Sequence, residues 1–226
     1  MSRLSSEFER LYPSPAAAGG GAPQGARAFV LELRRPLDWS ALGRVHRGVQ
    51  ADLGLPAPAI AVSGEGLQLW FSLREPVEAD RARAFLAALE QRWLAEVLPR
   101  QVVLHVAAGL RVPALQEGTD HWSAFVAPDL VSMFAETPWL DVEPNDEGQA
   151  NLLRGLQSAG RAEFEAAERR LAEDAATPAG AAAPAVDAPR DGAPPTTDPR
   201  QFLLSVMNDP SAPLALRIEA AKALLR

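Results

Sequence analysis

The predicted fold is decided by the stretch Ala59-Ile60-Ala61-Val62-Ser63-Gly64-Glu65-Gly66-Leu67-Gln68-Leu69-Trp70-Phe71. Its first four residues form a β-prone run, and the next four have the composition of a tight turn. From Leu67 onward, large apolar side chains alternate with Gln68 and Trp70, which is the period of a half-buried strand. The stretch therefore predicts a β-hairpin.

The segments on either side of this hairpin complete a four-stranded pattern. Residues 29–33 form a β-prone run, and Asp38 is placed to begin a helix whose apolar residues recur at helical spacing up to Gly54. A second long helix follows Pro76, and residues 102–106 form a fourth β-prone run. The order predicts an α+β fold with a ferredoxin-like split β-α-β-β-α-β core. Two helices would cover one sheet face, which leaves the other face for a ligand, a partner or additional structure.

The remaining residues divide into an α-rich extension, two linkers and a terminal hairpin. The extension, 110–173, is predicted to hold a strand near 123–126, a short helix at 129–135 and one helix from about 147 to 173. Two stretches rich in alanine, proline and glycine, 13–24 and 177–197, have the composition of disordered linkers. The predicted organisation is an N-terminal segment and flexible linker at 1–28, the α+β domain at 29–173, a disordered linker at 174–197 and a tethered C-terminal helical hairpin at 198–226.

The C-terminal hairpin consists of two short amphipathic segments on either side of Asn208-Asp209-Pro210. Asp198-Pro199 is a typical helix start, with proline at the first helical position. So short a segment cannot bury a self-sufficient core. We therefore expect it to dock on the chain's own domain, on a second copy of the chain or on another protein. Its candidate partner-binding residues are Phe202, Val206, Met207, Ile218 and Leu224.

The composition excludes several classes of protein. The chain has 22 basic and 29 acidic residues, a net charge of −7 and no cysteine, which excludes disulfides and thiolate metal sites. The acidic balance disfavours nucleic-acid binding through bulk charge, although Arg34, Arg35, Arg74 and Arg111 could form a local basic patch. The N-terminus does not resemble a signal peptide, and the longest apolar run is too short for a membrane helix. These features predict a soluble, cytoplasmic protein with no membrane partner.

The candidate ligand- or nucleic-acid-binding residues lie on the hairpin and the strands beside it: Glu32, Arg34, Ser63, Gly64, Gly66, Gln68, Trp70, His105 and Arg111. The 63–66 turn could cradle a phosphate, but it leads into a strand and not into a helix N-terminus, so a plain hairpin turn is favoured. Trp70 could stack on a base, yet a structural tryptophan covered by residues 110–173 is favoured. The spacing of the three histidines matches no standard metal site. No catalytic residue, metal or cofactor is predicted.

Two short stretches of the sequence resemble motifs of archaeo-eukaryotic-type primase-polymerases. Residues 62–71 resemble the strand-turn-strand of that superfamily, with its S-G-x-G turn, and Gly109-Leu110-Arg111-Val112-Pro113 resembles the arginine-proline element that follows its last catalytic strand. The resemblance covers residues 29–115 and implies a palm built on the same split order.

The residues that would carry the family's chemistry are replaced in this chain. The two acids expected one residue apart on the first strand correspond to Glu32 and Arg34, the histidine of the second motif corresponds to Gln68, and the third motif's acid falls near His105. Polymerase chemistry needs at least two carboxylates to hold its metal pair. The resemblance therefore implies a degenerate palm that is inactive or repurposed.

The C-terminal hairpin resembles a tail motif of phage-type proteins, including some small terminase subunits. The matching strings are residues 198–209 and Arg217-Ile218-Glu219-Ala220-Ala221-Lys222-Ala223. This resemblance implies a bacterial phage or mobile-element setting, but it does not imply an activity.

Three functional hypotheses follow from these patterns. The leading hypothesis is a non-catalytic binding or adaptor protein, in which the hairpin engages a partner. The second is nucleic-acid processing or priming, which rests on the primase-like strings and the arginine patch. The third is a small-molecule enzyme with a pocket on the open sheet face, centred on Glu32, Gln68 and His105.

Overall fold

Helices and strands alternate along most of the chain, whose computed structural model describes residues 2–13, 25–106 and 110–176. The helices in these ranges are α1 (Arg3–Leu11), α2 (Trp39–Ala51), α3 (Ala79–Trp93), α4 (Asp146–Arg154) and α5 (Arg161–Ala176), with short 3-10 helices at Pro99–Gln101 and Val131–Phe134. The strands are β1 (Ala26–Arg34), β2 (Ala59–Val62), β3 (Gly66–Val77), β4 (Val102–His105), β5 (Ala114–Leu115) and β6 (Trp122–Val126).

The six strands form one sheet in the order β4-β1-β3-β2-β6-β5, and every strand pair is antiparallel. The predicted α+β class is confirmed, and residues 26–105 follow the predicted succession of strand, helix, strand, strand, helix and strand. β1 lies between β3 and β4, so that Glu32 is opposite Gln68 on one side and Val103 on the other. This central position brings residues from three strands together.

The first face of the sheet is covered by α2, α3 and α5. The side chain of Asp38 caps α2 by accepting a hydrogen bond from the backbone N–H of Ala41 at 3.0 Å, as the sequence pattern predicts. The apolar side of each helix packs on alternate residues of the strands, and burying one such large side chain stabilises the fold by about 1.5–3 kcal/mol. The largest fully buried members of this cluster are Phe29, Leu31, Leu33, Leu42, Leu53, Leu67, Leu69, Leu86, Leu89, Leu94 and Phe164.

The second face is also covered, by α1 and α4. Its buried cluster contains Leu4, Leu11 and Tyr12 from the N-terminal segment, Ala150 and Leu153 from α4, and strand residues that include Val30, Trp70 and Phe125. The boundary predicted at residue 29 therefore leaves out α1, which shares this core with the sheet. Additional structure occupies the face that the sequence analysis left open for a ligand, a partner or further structure.

The extension differs from the prediction in two places. The short helix expected at 129–135 is a 3-10 helix at Val131–Phe134. The single helix expected from 147 to 173 is divided into α4 and α5. The break follows Gly155 because residues 158–160 run beside β3, where Ala159 exchanges backbone hydrogen bonds with Ser72 and Arg74.

Residues 14–24 and 177–226 lie outside the described residues, and they hold nearly all of both predicted linkers. The same is true of the predicted hairpin and its candidate partner-binding residues Phe202, Val206, Met207, Ile218 and Leu224. Among the helices that the structure describes, none has the length and apolarity needed to cross a membrane.

Candidate functional site

The candidate site is a hydrogen-bonded network centred on the carboxylate of Glu32. This residue lies in the middle of β1, and its side chain points to the second face of the sheet, as do those of its neighbours Val30 and Gln68. The side chain of Glu32 is 4% exposed, whereas that of His105, at the end of β4, is 25% exposed. The carboxylate is therefore buried, and the network reaches the surface at His105 and at Arg34, whose side chain is 44% exposed.

Three side chains donate hydrogen bonds to Glu32. Oε1 accepts from the hydroxyl of Ser63 at 2.6 Å and from the amide Nε2 of Gln68 at 3.2 Å. Oε2 lies 2.9 Å from Nε2 of His105 and 3.6 Å from Nε of Arg34. Hydrogen bonds to an ionised group are stronger than those between neutral groups. The network thus stabilises Glu32 in its charged form.

The 63–66 turn fixes the serine of this network. The backbone N–H of Gly66 donates to Oγ of Ser63 at 2.9 Å, so the hydroxyl is free to donate its proton to Glu32. Gly64 has a φ of +90°, a conformation that favours glycine. A Cβ atom on Gly66 would lie 2.4 Å from the carbonyl oxygen of Leu33, so β1 and β3 can approach only if this position is glycine. The favoured prediction of a plain hairpin turn between two strands is confirmed.

Trp70 extends the network and closes one side of it. Its indole N–H donates to Oε1 of Gln68 at 2.8 Å, which leaves the amide Nε2 of Gln68 to face Glu32. The ring centroid of Trp70 lies 5.1 Å from that of Tyr12, 5.9 Å from Phe8 and 5.7 Å from Phe125. Because Trp70 is 3% exposed, it is not available to stack on a base. It is a structural tryptophan, and α1 covers it together with the predicted extension.

The electrostatics of Glu32 are set by opposing effects. Burial raises the pKa of this carboxyl, but hydrogen bonds from His105 and Ser63 and the charges of His105 and Arg34 lower it. The hydrogen bonds and nearby charges together outweigh burial, so the pKa of Glu32 lies below its ordinary value. Glu32 is accordingly a carboxylate at neutral pH.

The carboxylate also determines the hydrogen position on His105. An ionised carboxylate only accepts hydrogen bonds, so Nε2 of His105 carries the proton that points to Glu32. No hydrogen bond joins Nδ1 of His105 to another described residue, and every fully buried side-chain nitrogen or oxygen in the described part of the chain has a partner. The His105 side chain as a whole is 25% exposed.

The arginines of the predicted basic patch are not all together. Arg34 lies opposite Gly66 at one end of β3 and is held by Glu65 through a 3.0 Å ion pair. Arg74 lies eight residues further along β3, about 26 Å away at the usual strand rise. Its Nε donates instead to the carbonyl oxygen of Ser158. Arg111 is exposed. The predicted four-arginine patch is therefore wrong in placing Arg74 beside Arg34.

Seven of the nine candidate site residues belong to one connected network: Glu32, Arg34, Ser63, Gly66, Gln68, Trp70 and His105. Gly64 shapes the turn without joining the hydrogen bonds, and Arg111 lies outside them. Within the described residues there is no group of three or more histidine, aspartate or glutamate side chains placed to hold a metal ion.

Sequence reasoning missed the aromatic residues of α1 that close the network. Phe8 and Tyr12 pack against Trp70 from the N-terminal segment, which was predicted to lie outside the α+β domain. The available signal was the spacing of Leu4, Phe8 and Leu11, which places three apolar side chains on one side of a helix.

Comparison of the chain with protein-family models, with curated proteins and with solved structures gives no match. The resemblance to a primase-polymerase palm therefore rests only on the sequence motifs within residues 29–115.

Proposed function

We propose that this chain is a non-catalytic binding protein, built on a degenerate primase-like palm and acting as an adaptor. The succession of elements over residues 26–105 and the strand order β4-β1-β3-β2 support interpreting this part as a ferredoxin-like split core. The resemblance of the C-terminal segment to phage-type tails supports a mobile-element setting.

The observation that carries this proposal is the hydrogen-bond network of Glu32. In the resembling palms, this position supplies one of the acids that hold the metal pair, and such a pair needs carboxylate oxygens free to coordinate. Here both oxygens of Glu32 already accept hydrogen bonds, from Ser63, Gln68 and His105. The position of the second acid is occupied by Arg34, whose positive charge disfavours a cation at this site.

An assay of primer synthesis tests the non-catalytic part of the proposal. The full chain is incubated with a single-stranded DNA template, nucleoside triphosphates and Mn²⁺, and the product is compared with that of Glu32→Gln. We expect no product above background from either protein. Synthesis by the wild type that Glu32→Gln abolishes would overturn the proposal.

The adaptor part of the proposal places partner binding in residues 198–226, because the apolar stripe there is too short to form its own core. Self-association is the form of this binding that is measured most directly. We expect the full chain to sediment as an oligomer, and Phe202→Asp combined with Val206→Asp to sediment as a monomer. Gln201→Asp combined with Ser205→Asp, which adds the same charge beside the stripe, is the matched control. A wild-type chain that is monomeric at all concentrations would contradict self-association.

A second candidate function, a small-molecule enzyme, is favoured by the bond between Glu32 and His105. A carboxylate that orients a partly exposed histidine is the arrangement of a general base. A panel of nitrophenyl esters and phosphates tests this candidate. Hydrolysis by the wild type that His105→Asn removes would support the enzyme, and equal rates for the two proteins would exclude it for these substrates.

A further inference from the structure

Exposed apolar side chains are concentrated in the segment that carries β5, β6 and the 3-10 helix Val131–Phe134. Four large apolar side chains between residues 115 and 142 are exposed: Leu115 at 52%, Leu130 at 46%, Met133 at 72% and Val142 at 70%. In the rest of the described chain, Leu98, at 50%, is the other large apolar side chain exposed to this degree. Concentrated exposure of this kind marks interaction sites on proteins more often than scattered single residues do.

The backbone pairing places part of this surface in one row. Leu115 lies opposite Trp122 on β6, and Trp122 is bridged on its other side to Leu140. Residues directly opposite one another in an antiparallel pair project to the same face, so these three side chains are neighbours. Trp122 and Leu140 are half-buried. Exposure therefore increases along the row, from the half-buried Leu140 and Trp122 to the exposed Leu115.

The 3-10 helix at Val131–Phe134 lies on the same side of the sheet. Val131 is fully buried in the cluster of the first face, and Phe134 and Leu140 pack against that cluster. Met133, between the two anchoring side chains of its helix, is exposed. A fixed backbone therefore presents an apolar side chain to solvent at this position.

The same part of the chain carries the acidic excess. From Val112 to Leu153 there is no lysine or arginine, while eight carboxylates are present: Glu117, Asp120, Asp129, Glu136, Asp141, Glu143, Asp146 and Glu147. All eight residues are exposed. Glu147 pairs with Arg3, and Asp141 accepts a hydrogen bond from Trp139. Arg35 reaches this segment from outside it and lies over the ring of Trp139 at 5.5 Å. The segment that holds the exposed apolar side chains nevertheless carries a large excess of negative charge.

We propose that this surface, which we call the acidic edge (Leu115, Leu130, Met133 and Val142 with the carboxylates around them), binds a basic amphipathic helix of a partner protein. Apolar anchors supply affinity and the carboxylates select a positively charged segment. β5 has only two residues, which offers too short an edge for a partner to add a strand, so recognition falls to side chains. The inference goes beyond the proposed function, since it adds a second binding surface outside residues 198–226.

Fluorescence anisotropy with the full chain tests the proposal. The probe is a labelled, short amphipathic peptide of leucine and lysine, and a scrambled peptide of the same composition is the reference. We expect the amphipathic peptide to bind more tightly than the scrambled one. We expect binding to weaken about tenfold or more with Met133→Ser and Val142→Ser, and also with Glu136→Lys and Glu143→Lys.

The matched control is Leu98→Ser with Glu96→Lys, which removes an exposed apolar side chain and reverses an exposed acid elsewhere on the surface. This variant should bind the peptide nearly as well as the wild type. Equal loss in the control and in the acidic-edge variants would overturn the proposal, as would equal binding of the scrambled peptide or no binding at all. These outcomes are independent of the primer-synthesis assay, so failure of the acidic edge and failure of the non-catalytic proposal are distinguishable.

Discussion

Glu32 and His105 lie 73 positions apart in the sequence and meet between β1 and β4, where Nε2 of the histidine is 2.9 Å from Oε2 of the carboxylate. The bond is diagonal in the sheet, because His105 is registered with Val30 and not with Glu32. It joins a buried charge to a partly exposed histidine. The pair therefore determines how the site responds to pH and to substitution.

The depressed pKa of Glu32 predicts a specific loss of stability in acid. A carboxyl whose pKa is lower in the folded than in the unfolded state stabilises the fold above its ordinary value, here 4.5, and that stabilisation is lost as the pH falls through the folded pKa. We expect Glu32→Gln to lower the free energy of unfolding by about 1–3 kcal/mol at neutral pH. The difference from the wild type should shrink as the pH falls below 4.5.

Urea unfolding monitored by circular dichroism at several pH values checks this prediction. Glu65→Gln is the control, because Glu65 is 65% exposed and pairs with the same Arg34. It should change stability by less than about 0.5 kcal/mol. A Glu32→Gln difference that is absent at neutral pH would show that the network does not hold the charged form.

Removing the hydroxyl of Ser63 should destabilise the fold by about 1–3 kcal/mol, because Ser63→Ala leaves both Glu32 and the N–H of Gly66 short of a partner in a buried site. Thermal unfolding provides the measurement. Ser132→Ala, at an exposed position in the 3-10 helix, is the matched substitution and should have almost no effect. Similar melting temperatures for the two variants would contradict a tightly bonded serine.

Gly66→Ala should be among the most damaging small substitutions in the sheet. Its Cβ would lie 2.4 Å from the carbonyl oxygen of Leu33, and because that atom is backbone, relief requires β1 and β3 to separate. We expect a loss of several kcal/mol, above the roughly 1 kcal/mol typical of single substitutions. Gly155→Ala is the control, since that position has a negative φ and nothing within 4 Å of an added Cβ. Equal stability of the two variants in urea titrations would refute the close approach.

Tyr12 reports whether α1 is packed on the sheet. It is the single tyrosine of the chain, so the ultraviolet absorbance of tyrosinate measures this residue alone. Burial against Trp70 and Phe125 raises the pKa of Tyr12 well above its ordinary value of 10.0, and the charge of Arg10 opposes this only in part. We expect no tyrosinate signal until alkali unfolds the protein. In urea the titration should return to about 10, whereas a native titration near 10 would mean that α1 is not docked.

The order of elements from β1 to β4 was predictable because each element carries its own local signal. Asp38 caps α2, the 63–66 turn separates β2 from β3, and apolar residues keep the period of a strand or a helix. The break between α4 and α5 lies between Gly155 and Gly160, which are local signals for a helix end, and it is fixed by backbone pairing of Ala159 with β3. The packing of α1 on the second face of the sheet depends on long-range contacts, which local sequence signals do not specify.

The candidate site was predicted as a set of residues but not as a network. The alternation along β1 and β3 places Glu32, Gln68 and Trp70 on one face of the sheet. β1 pairs with both β3 and β4, so Gln68 and His105 both reach the carboxylate of Glu32. Hydrogen bonds of this kind depend on register and rotamer, which periodicity does not specify.

Binding of Mn²⁺ by the full chain is the most direct test of the central claim that Glu32 is committed to its hydrogen-bond network. Electron paramagnetic resonance distinguishes free from bound Mn²⁺, and the titration is run with wild type and Glu32→Gln in the presence of a nucleoside triphosphate. The account predicts that the two proteins leave the same fraction of Mn²⁺ bound. Binding by the wild type that is lost in Glu32→Gln would contradict it and would assign Glu32 to a metal site.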